Sequence, residues 1–255
     1  KSVMLYDEND KGYIDGIASW YTCMYGHCNP HIIKKISTQL QQLDQVVFSG
    51  FTHQPAVEMS EALMGILPNN QQKIFFSDNG STSVDVALKM ALQAQFNQGF
   101  KKTKIIALED AFHGDTFGAM SASGLSVYNG PFEEFLLAID RIEVPTHENF
   151  KQVKDKFTQL LQTGEVAAFI FEPLVQGANA MRMYDADLLD QLIAIAKEHN
   201  VITIADEVMT GFGKTGKNFA ADYLKNKPDI MCLSKSLTGG VVPMALTTCT
   251  QEIYD

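Results

Sequence analysis

The 255-residue chain lacks the features that mark membrane, secreted and nucleic-acid-binding proteins. No run approaches the roughly 18 apolar residues that a membrane-spanning helix needs, and the opening KSVMLYDENDKG contains no signal-peptide hydrophobic region. Lys and Arg form no cluster, and the formal charge of −10 disfavours a nucleic acid or an anionic membrane as the main partner. These absences favour a cytoplasmic protein that acts on small molecules.

Cysteine is scarce and scattered. The one close pair, Cys23 and Cys28, lacks the CxxC spacing and the second ligand pair of a zinc site, so we expect four reduced, structural cysteines and no metal. The chain also has no internal repeat, low-complexity tract or long linker. With 45% hydrophobic and 20% charged residues, it can bury the core of one large domain.

From about residue 71 onward, strand-like and helix-like segments alternate. The strand-like runs are KIFFS, KIIALED, AAFIFEPL, VITIAD and DIMCLS, and the amphipathic helical segments are STSVDVALKMALQAQF and DADLLDQLIAIAKEH. Buried strands separated by helices predict an α/β fold with a parallel, doubly wound sheet. Ahead of this region, VMLYDENDKGYIDGIASW predicts a hairpin that leads into Trp20.

Two ionisable residues follow predicted strands, where ligands of such sheets bind. Asp206 comes directly after VITIA, and Lys235 follows the next strand along the chain. A buried carboxylate needs a cationic or hydrogen-bonding partner, and a buried lysine tends to a lowered pKa that leaves neutral amine for attack on an aldehyde. On these two residues alone, a structural ion pair explains the pattern equally well.

Two more strand ends carry polar or aromatic residues. Residues 78–83 lie between a strand and a helix, where backbone amides and hydroxyls suit a phosphate, although ordinary N-capping by Ser81 or Thr82 is the alternative. This segment is not a Walker loop. Phe112 follows another strand and can stack on a flat heterocycle. Phosphate site, aromatic ring, carboxylate and lysine together match pyridoxal phosphate.

Five motifs, in order, resemble those of the class III aminotransferases: SDNGSTSVDVALKMALQ, FHGDTFGAMSASG, FEPLVQGA, ADEVMTGFGKTGK and CLSKSLTGG. The resemblance implies the pyridoxal-phosphate-dependent transferase fold type I, with a mostly parallel sheet and helices on both faces. It implies a large cofactor-binding domain over 47–255, incomplete at its end, and an N-terminal segment with a hairpin, 1–46, that is part of a small domain. We further expect that the C-terminal small domain is absent and that the complete protein is a homodimer with a shared active site.

The resemblance also implies roles for single residues. Gly80 and Ser81 would bind the cofactor phosphate, and Phe112 would stack on the ring, where related enzymes have Tyr. Asp206 would hold the protonated pyridine nitrogen. Lys235 is implied as the catalytic lysine that forms the Schiff base with the cofactor.

Substrate-binding roles are implied for Trp20, Phe112 and Lys235. Trp20 matches a Trp that lines the substrate site in the family members of biotin biosynthesis, and a buried hairpin Trp is the alternative. His113 is equally consistent with a contact to the cofactor region and with a hydrogen-bonded structural histidine.

The motifs are most similar to those of the biotin-pathway members, which implies amino transfer from S-adenosylmethionine to 8-amino-7-oxononanoate, giving 7,8-diaminononanoate. Two alternatives stay open: another class III enzyme, such as an ω-amino-acid aminotransferase or a decarboxylating relative, and a non-catalytic binding protein that retains the fold. Lys214 stands where related enzymes have Arg, and Asn179 and Ala180 depart from a glycine-rich form. The Lys cannot clamp a carboxylate bidentately.

Overall fold

The computed structural model describes residues 1–124 and 129–255, in which a seven-stranded sheet lies between two layers of helices. The strands are β1 Met4–Tyr6, β2 Gly12–Ile14, β3 Lys73–Ser77, β4 Lys104–Leu108, β5 Ile139–Ile142, β6 Val166–Phe171, β7 Val175–Gln176, β8 Arg182–Met183, β9 Ile202–Asp206, β10 Ile230–Leu233 and β11 Ala245–Cys249. The helices are α1 Ala18–Tyr21, α2 Pro30–Leu40, α3 Gln54–Met64, α4 Gly80–Asn97, α5 Phe117–Ala122, α6 Phe150–Leu161, α7 Ala186–Glu198 and α8 Gln251–Tyr254, with 3₁₀ turns at Gly130–Phe135, Ala220–Tyr223 and Lys235–Thr238.

The central sheet has the strand order β3-β11-β10-β9-β6-β4-β5. From β10 to β5 all neighbours are parallel, whereas β11 is antiparallel to both β10 and β3. The sheet is therefore mostly parallel, as the resemblance implied, and its antiparallel part lies at the edge formed by β11 and β3. The reason is the short connection from β10 to β11, which holds only the 3₁₀ turn Lys235–Thr238 and is too short for a parallel crossover.

Both faces of the sheet are covered by helices, as predicted. Alternate residues of β4 point to opposite sides: Ile106 belongs to the cluster that contains Phe157 of α6 and Leu189 of α7, while Ile105 belongs to the cluster that contains Ala87 of α4. β6 is buried along its whole length because it lies in the middle of the sheet. The core thus consists of two apolar layers separated by the sheet.

An aromatic stack fills the layer under α6. The ring centroid of Phe169 lies 4.9 Å from that of Phe157 and 5.0 Å from that of Phe171, and all three side chains are fully buried. Burial of each such side chain stabilises the fold by roughly 1.5–3 kcal/mol. This layer therefore fixes β6, whose carboxyl end leads into the polar segment beginning at Glu172.

The N-terminal segment, 1–46, is described throughout, and none of its residues is buried as a whole. The predicted hairpin is confirmed, since β1 pairs antiparallel with β2 and Met4 lies opposite Ile14. Its assignment to a small domain stays a prediction.

The short element α1 has an unusual backbone. Ser19 (φ 47°, ψ 55°) and Trp20 (φ 61°, ψ 49°) are left-handed, and the flanking Ala18 and Tyr21 have φ of 49° and 71°. A left-handed conformation costs an L-residue roughly 1–2 kcal/mol, and such residues normally occur singly. Four in succession need support from the surrounding structure.

In the described part of the chain, no helix is long and apolar enough to cross a membrane, and no group of His, Cys, Asp and Glu is placed to hold a metal ion. The four cysteines are free, as expected. Cys232 and Cys249 are buried in the sheet, whereas Cys28 is exposed.

Candidate active site

A cavity of about 1230 Å³ lies at the carboxyl ends of the parallel strands. Its walls come from the segments that follow β3, β4, β6, β9 and β10, together with α1. All residues that sequence analysis assigned to a site line this one cavity: Trp20, Gly80, Ser81, Phe112, Asp206 and Lys235. The fold therefore brings the predicted residues together.

One end of the cavity is the N-terminus of α4. Asn79 caps this helix, because its Oδ1 accepts the N–H of Thr82 at 3.0 Å while Thr82 Oγ1 accepts the N–H of Asn79 at 3.2 Å. The cap is thus Asn79, with Thr82 as its reciprocal partner, and not Ser81. The first two helical N–H groups, of Gly80 and Ser81, receive no acceptor from the helix itself and lie at its positive end. This arrangement suits a phosphate.

Close packing shapes the same end of the cavity. The Ser81 hydroxyl accepts the N–H of Thr116 at 2.8 Å and lies 2.7 Å from Thr116 Oγ1. A Cβ on Gly114 would lie 2.4 Å from Ser81 Oγ, and the φ of Gly114 is +130°. A Cβ on Gly80 would lie 2.8 Å from Cγ1 of Val208. Both glycines are therefore required for the backbone to approach this closely.

Asp206 lies at the end of β9 with 4% of its surface exposed. Its Oδ2 is 2.7 Å from Nδ1 of His113, and its Oδ1 accepts the N–H of Val208 at 3.0 Å. Each oxygen retains acceptor capacity for one more donor. His113 is the structural partner of Asp206, and its Nε2 is buried without a hydrogen-bond partner among the described residues.

Lys235 also lines the cavity, at the start of the 3₁₀ turn after β10. Among the residues that the structure describes, it forms no ion pair with Asp206 within 4.0 Å, so the ion-pair alternative is wrong. Burial lowers the pKa of the Lys235 amine, and the charges of Asp206 and Glu172 partly counteract this effect. The residue also has a positive φ of 47°, a strain that is typical of functional positions.

Glu172 is a site residue to which sequence analysis gave no role. It is 4% exposed, its Oε1 accepts the N–H of Phe112 at 3.0 Å, and its Oε2 accepts the N–H of Gly177 at 2.9 Å. Burial is the main cause that raises the pKa of Glu172, while His113 lowers it. This carboxylate fixes the backbone of Phe112. In the sequence, the only indication of a role for Glu172 was its position directly after a predicted strand.

The open side of the cavity carries aromatic side chains. Phe112 is 44% exposed and Trp20 is 67% exposed, so the alternative of a buried hairpin Trp is wrong. The ring of Tyr21 is centred 6.0 Å from Nζ of Lys235. Ala180 also lines this side, whereas Lys214 lies outside the cavity wall and is exposed.

The residues present fit pyridoxal phosphate. The N–H groups at the start of α4 suit the phosphate. Gly80 and Gly114 line this end of the cavity, where a Cβ would be too close to neighbouring side chains. Asp206 retains acceptor capacity for a protonated ring nitrogen, and the Lys235 amine faces the same space. Phe112 is placed at the cavity wall, where an aromatic ring can stack on a heterocycle.

The strand order and this set of residues define the fold as the large domain of pyridoxal-phosphate-dependent transferases of fold type I. The whole chain, residues 1–255, matches the model of the family "Aminotransferase class-III", and the chain belongs to that family.

Several relatives share one name. Adenosylmethionine-8-amino-7-oxononanoate aminotransferase of Synechococcus elongatus is 45% identical over 250 residues, which cover 95% of this chain and 59% of that protein. The enzyme of the same name from Staphylococcus aureus is 36% identical over 270 residues, with 100% and 60% coverage. The chain thus spans about three fifths of the length of the curated relatives that it matches.

Solved structures agree with this placement. The crystal structure of adenosylmethionine-8-amino-7-oxononanoate aminotransferase from Methanocaldococcus jannaschii superposes with a TM-score of 0.93 at 34% identity, covering 100% of this chain and 59% of that one. An amine transaminase from an uncultivated Pseudomonas species, in its PLP-bound form, gives a TM-score of 0.92 at 29% identity, with 100% and 61% coverage.

Proposed function

We propose that the protein is a pyridoxal-phosphate-dependent aminotransferase of biotin biosynthesis. It would transfer an amino group from S-adenosylmethionine to 8-amino-7-oxononanoate and so form 7,8-diaminononanoate. The observation that carries the proposal is that Lys235, Asp206 and the N-terminus of α4 line one cavity. The shared name of the relatives at 33–45% identity supports the choice of substrates.

Four contacts to the cofactor follow from this assignment. Gly80 and Ser81 hold the phosphate through the N–H groups at the start of α4. Phe112 stacks on the ring, and Asp206 accepts a hydrogen bond from the ring nitrogen while His113 holds the carboxylate in place. A carboxylate at this position favours the protonated form of that nitrogen.

When bound, pyridoxal phosphate supplies an aldehyde that takes up amino groups and a ring that accepts electrons from the substrate carbon. Lys235 would hold the aldehyde group through its amine. Its Nζ would also take the proton from the substrate carbon as a general base and give it back as a general acid. Burial lowers the pKa of Lys235, which favours the neutral amine that proton removal requires.

The aromatic side of the cavity is the place we assign to the substrates. Trp20 and Phe112 expose large apolar surface there, and Tyr21 covers the approach to Lys235. These side chains suit the alkyl chain of an oxo acid and the flat base of an adenosyl group. We also propose that the protein is cytoplasmic and a homodimer. The fold type favours the dimer, and light scattering on the full-length protein would test it.

A test of the function uses purified full-length protein with pyridoxal phosphate. We expect mass spectrometry to detect 7,8-diaminononanoate when 8-amino-7-oxononanoate and S-adenosylmethionine are both supplied. Lys235→Ala should lose the product and the visible absorption band of the bound cofactor, while circular dichroism stays that of the wild type.

The control experiment compares amino donors. If ornithine, 4-aminobutyrate or a dialkylglycine outcompetes S-adenosylmethionine, the protein is a different class III enzyme. A wild-type protein that never develops the visible band with pyridoxal phosphate would refute the enzyme assignment altogether.

A further inference from the structure

We propose that Asp15 is a positioning residue: through Ser19 and His27 it holds α1 in its left-handed conformation and thereby sets the places of Trp20 and Tyr21 in the cavity wall. The kinetic part of this inference rests on the proposed function. The structural part does not, because Trp20 reports on α1 directly.

The contacts of Asp15 converge on the strained turn. Its Oδ2 accepts the hydroxyl of Ser19 at 2.9 Å and lies 2.8 Å from Nε2 of His27. Only 6% of the Asp15 side chain and 20% of the His27 side chain are exposed. One carboxylate oxygen therefore links the middle of α1 to the chain that follows it.

Further contacts attach the turn to the segment that carries Lys235. The hydroxyl of Thr22 donates to the carbonyl of Ser19 at 2.8 Å, and the hydroxyl of Ser236 donates to the carbonyl of Tyr21 at 3.3 Å. A Cβ on Gly240 would lie 2.8 Å from Oγ1 of Thr22, so the two segments are in close contact. The turn is thus attached to the segment after β10 as well as to Asp15.

The strain gives Asp15 its role. Left-handed residues other than glycine persist only where the surrounding structure enforces them, and they cluster at functional sites. Here the left-handed run carries Trp20 and Tyr21, which line the same cavity as Lys235. If the Asp15 contacts are lost, the backbone is expected to relax, and Trp20 and Tyr21 will move from the wall.

The experiment compares Asp15→Ala with Asp7→Ala in the full-length holoenzyme. Asp7 is a matched control, since its carboxylate accepts the N–H groups of Asn9 and Lys11 in the neighbouring hairpin. The first readout is the emission of Trp20, taken as the difference from the same protein with Trp20→Phe. The second is the split between KM and kcat with 8-amino-7-oxononanoate.

For Asp15→Ala we expect a shift in the Trp20 emission and a KM raised about tenfold, with kcat changed less than about threefold. Asp7→Ala should change neither quantity. Ser19→Ala removes one contact and keeps the Asp15 carboxylate, so it should give a smaller effect of the same kind. If Asp15→Ala does not fold, Ser19→Ala takes its place as the test variant.

A rescue separates positioning from general loss of structure. Adding Ala18→Gly to Asp15→Ala removes part of the left-handed strain, because glycine adopts positive φ without a Cβ penalty. We expect KM and emission to return toward wild-type values. Unchanged Trp20 emission in both Asp15→Ala and Ser19→Ala would overturn the inference. If the wild type makes no diamino product, the proposed function fails, while the emission measurement still decides the role of Asp15.

Discussion

Glu172→Gln offers a direct test of how the cavity is built. The wild-type carboxylate accepts two backbone N–H groups, those of Phe112 at 3.0 Å and Gly177 at 2.9 Å. The amide has the same shape but only one acceptor oxygen, so one N–H must face an NH₂ group. Because Glu172 is 4% exposed, water cannot readily replace the lost acceptor.

The size of the effect follows from that unpaired donor. A buried N–H left without an acceptor costs about 1–3 kcal/mol. We expect Glu172→Gln to lower the free energy of unfolding of the full-length protein by this amount, as measured by urea denaturation. Because the backbone of Phe112 is then less well held, the dissociation constant of pyridoxal phosphate should rise about tenfold, which corresponds to about 1.4 kcal/mol.

Glu165→Gln is the matched control. Glu165 pairs with Lys104 at 2.6 Å, but its side chain is 56% exposed, so its removal should change stability by less than about 1 kcal/mol and leave cofactor affinity unaltered. The reasoning is refuted if Glu172→Gln unfolds at the same urea concentration as the wild type and binds the cofactor equally well, as measured by absorbance titration.

Three further predictions concern other parts of the domain. Gly114→Ala places a Cβ 2.4 Å from Ser81 Oγ at a φ of +130°, so spectroscopic titration should show cofactor binding weakened at least about tenfold; wild-type affinity would contradict this. Burial raises the pKa of Glu207 to about 7, above the unfolded 4.5, so the stability it contributes is full below pH 4.5 and is lost as the pH rises through 7. The stability difference between wild type and Glu207→Gln in urea should therefore fall by up to about 3 kcal/mol over that window, and a constant difference would argue against it. Phe169→Ala should lower the free energy of unfolding by about 3–5 kcal/mol, and a loss below 1 kcal/mol would contradict the tight packing of the aromatic stack.

The sheet was largely predictable because long apolar runs between amphipathic helices form a local pattern. β11 was not predicted, since its buried threonines read as polar: Thr247 donates to the carbonyl of Ser83 and Thr248 to Oε1 of Gln71. The antiparallel direction of β11 follows from the short connection between β10 and β11. The length of that connection is known only once both strands have been located. Local patterns therefore predicted the parallel part of the central sheet better than the edge that contains β11.

The site was predictable where a single side chain follows a strand, as for Asp206 and Lys235. It was not predictable where the contact depends on a distant backbone atom. Glu172 reaches the N–H of Phe112, 60 positions away, and no spacing rule in the sequence indicates that pair. The left-handed α1 was also missed, because Ala18–Tyr21 contains no glycine to indicate positive φ.

The place of β3 at the edge of the sheet affects how the protein is made. In the central sheet β3 pairs only with β11, and the helix that follows β3 is joined to β11 by a hydrogen bond between residues 164 positions apart. At 5–20 residues per second on the ribosome, β3 waits roughly 10 to 30 seconds for that partner. During this time β3 has no partner strand, and an unpaired strand is open to association with other chains. A nascent chain released before Ala245 would keep β3 in that unpaired state.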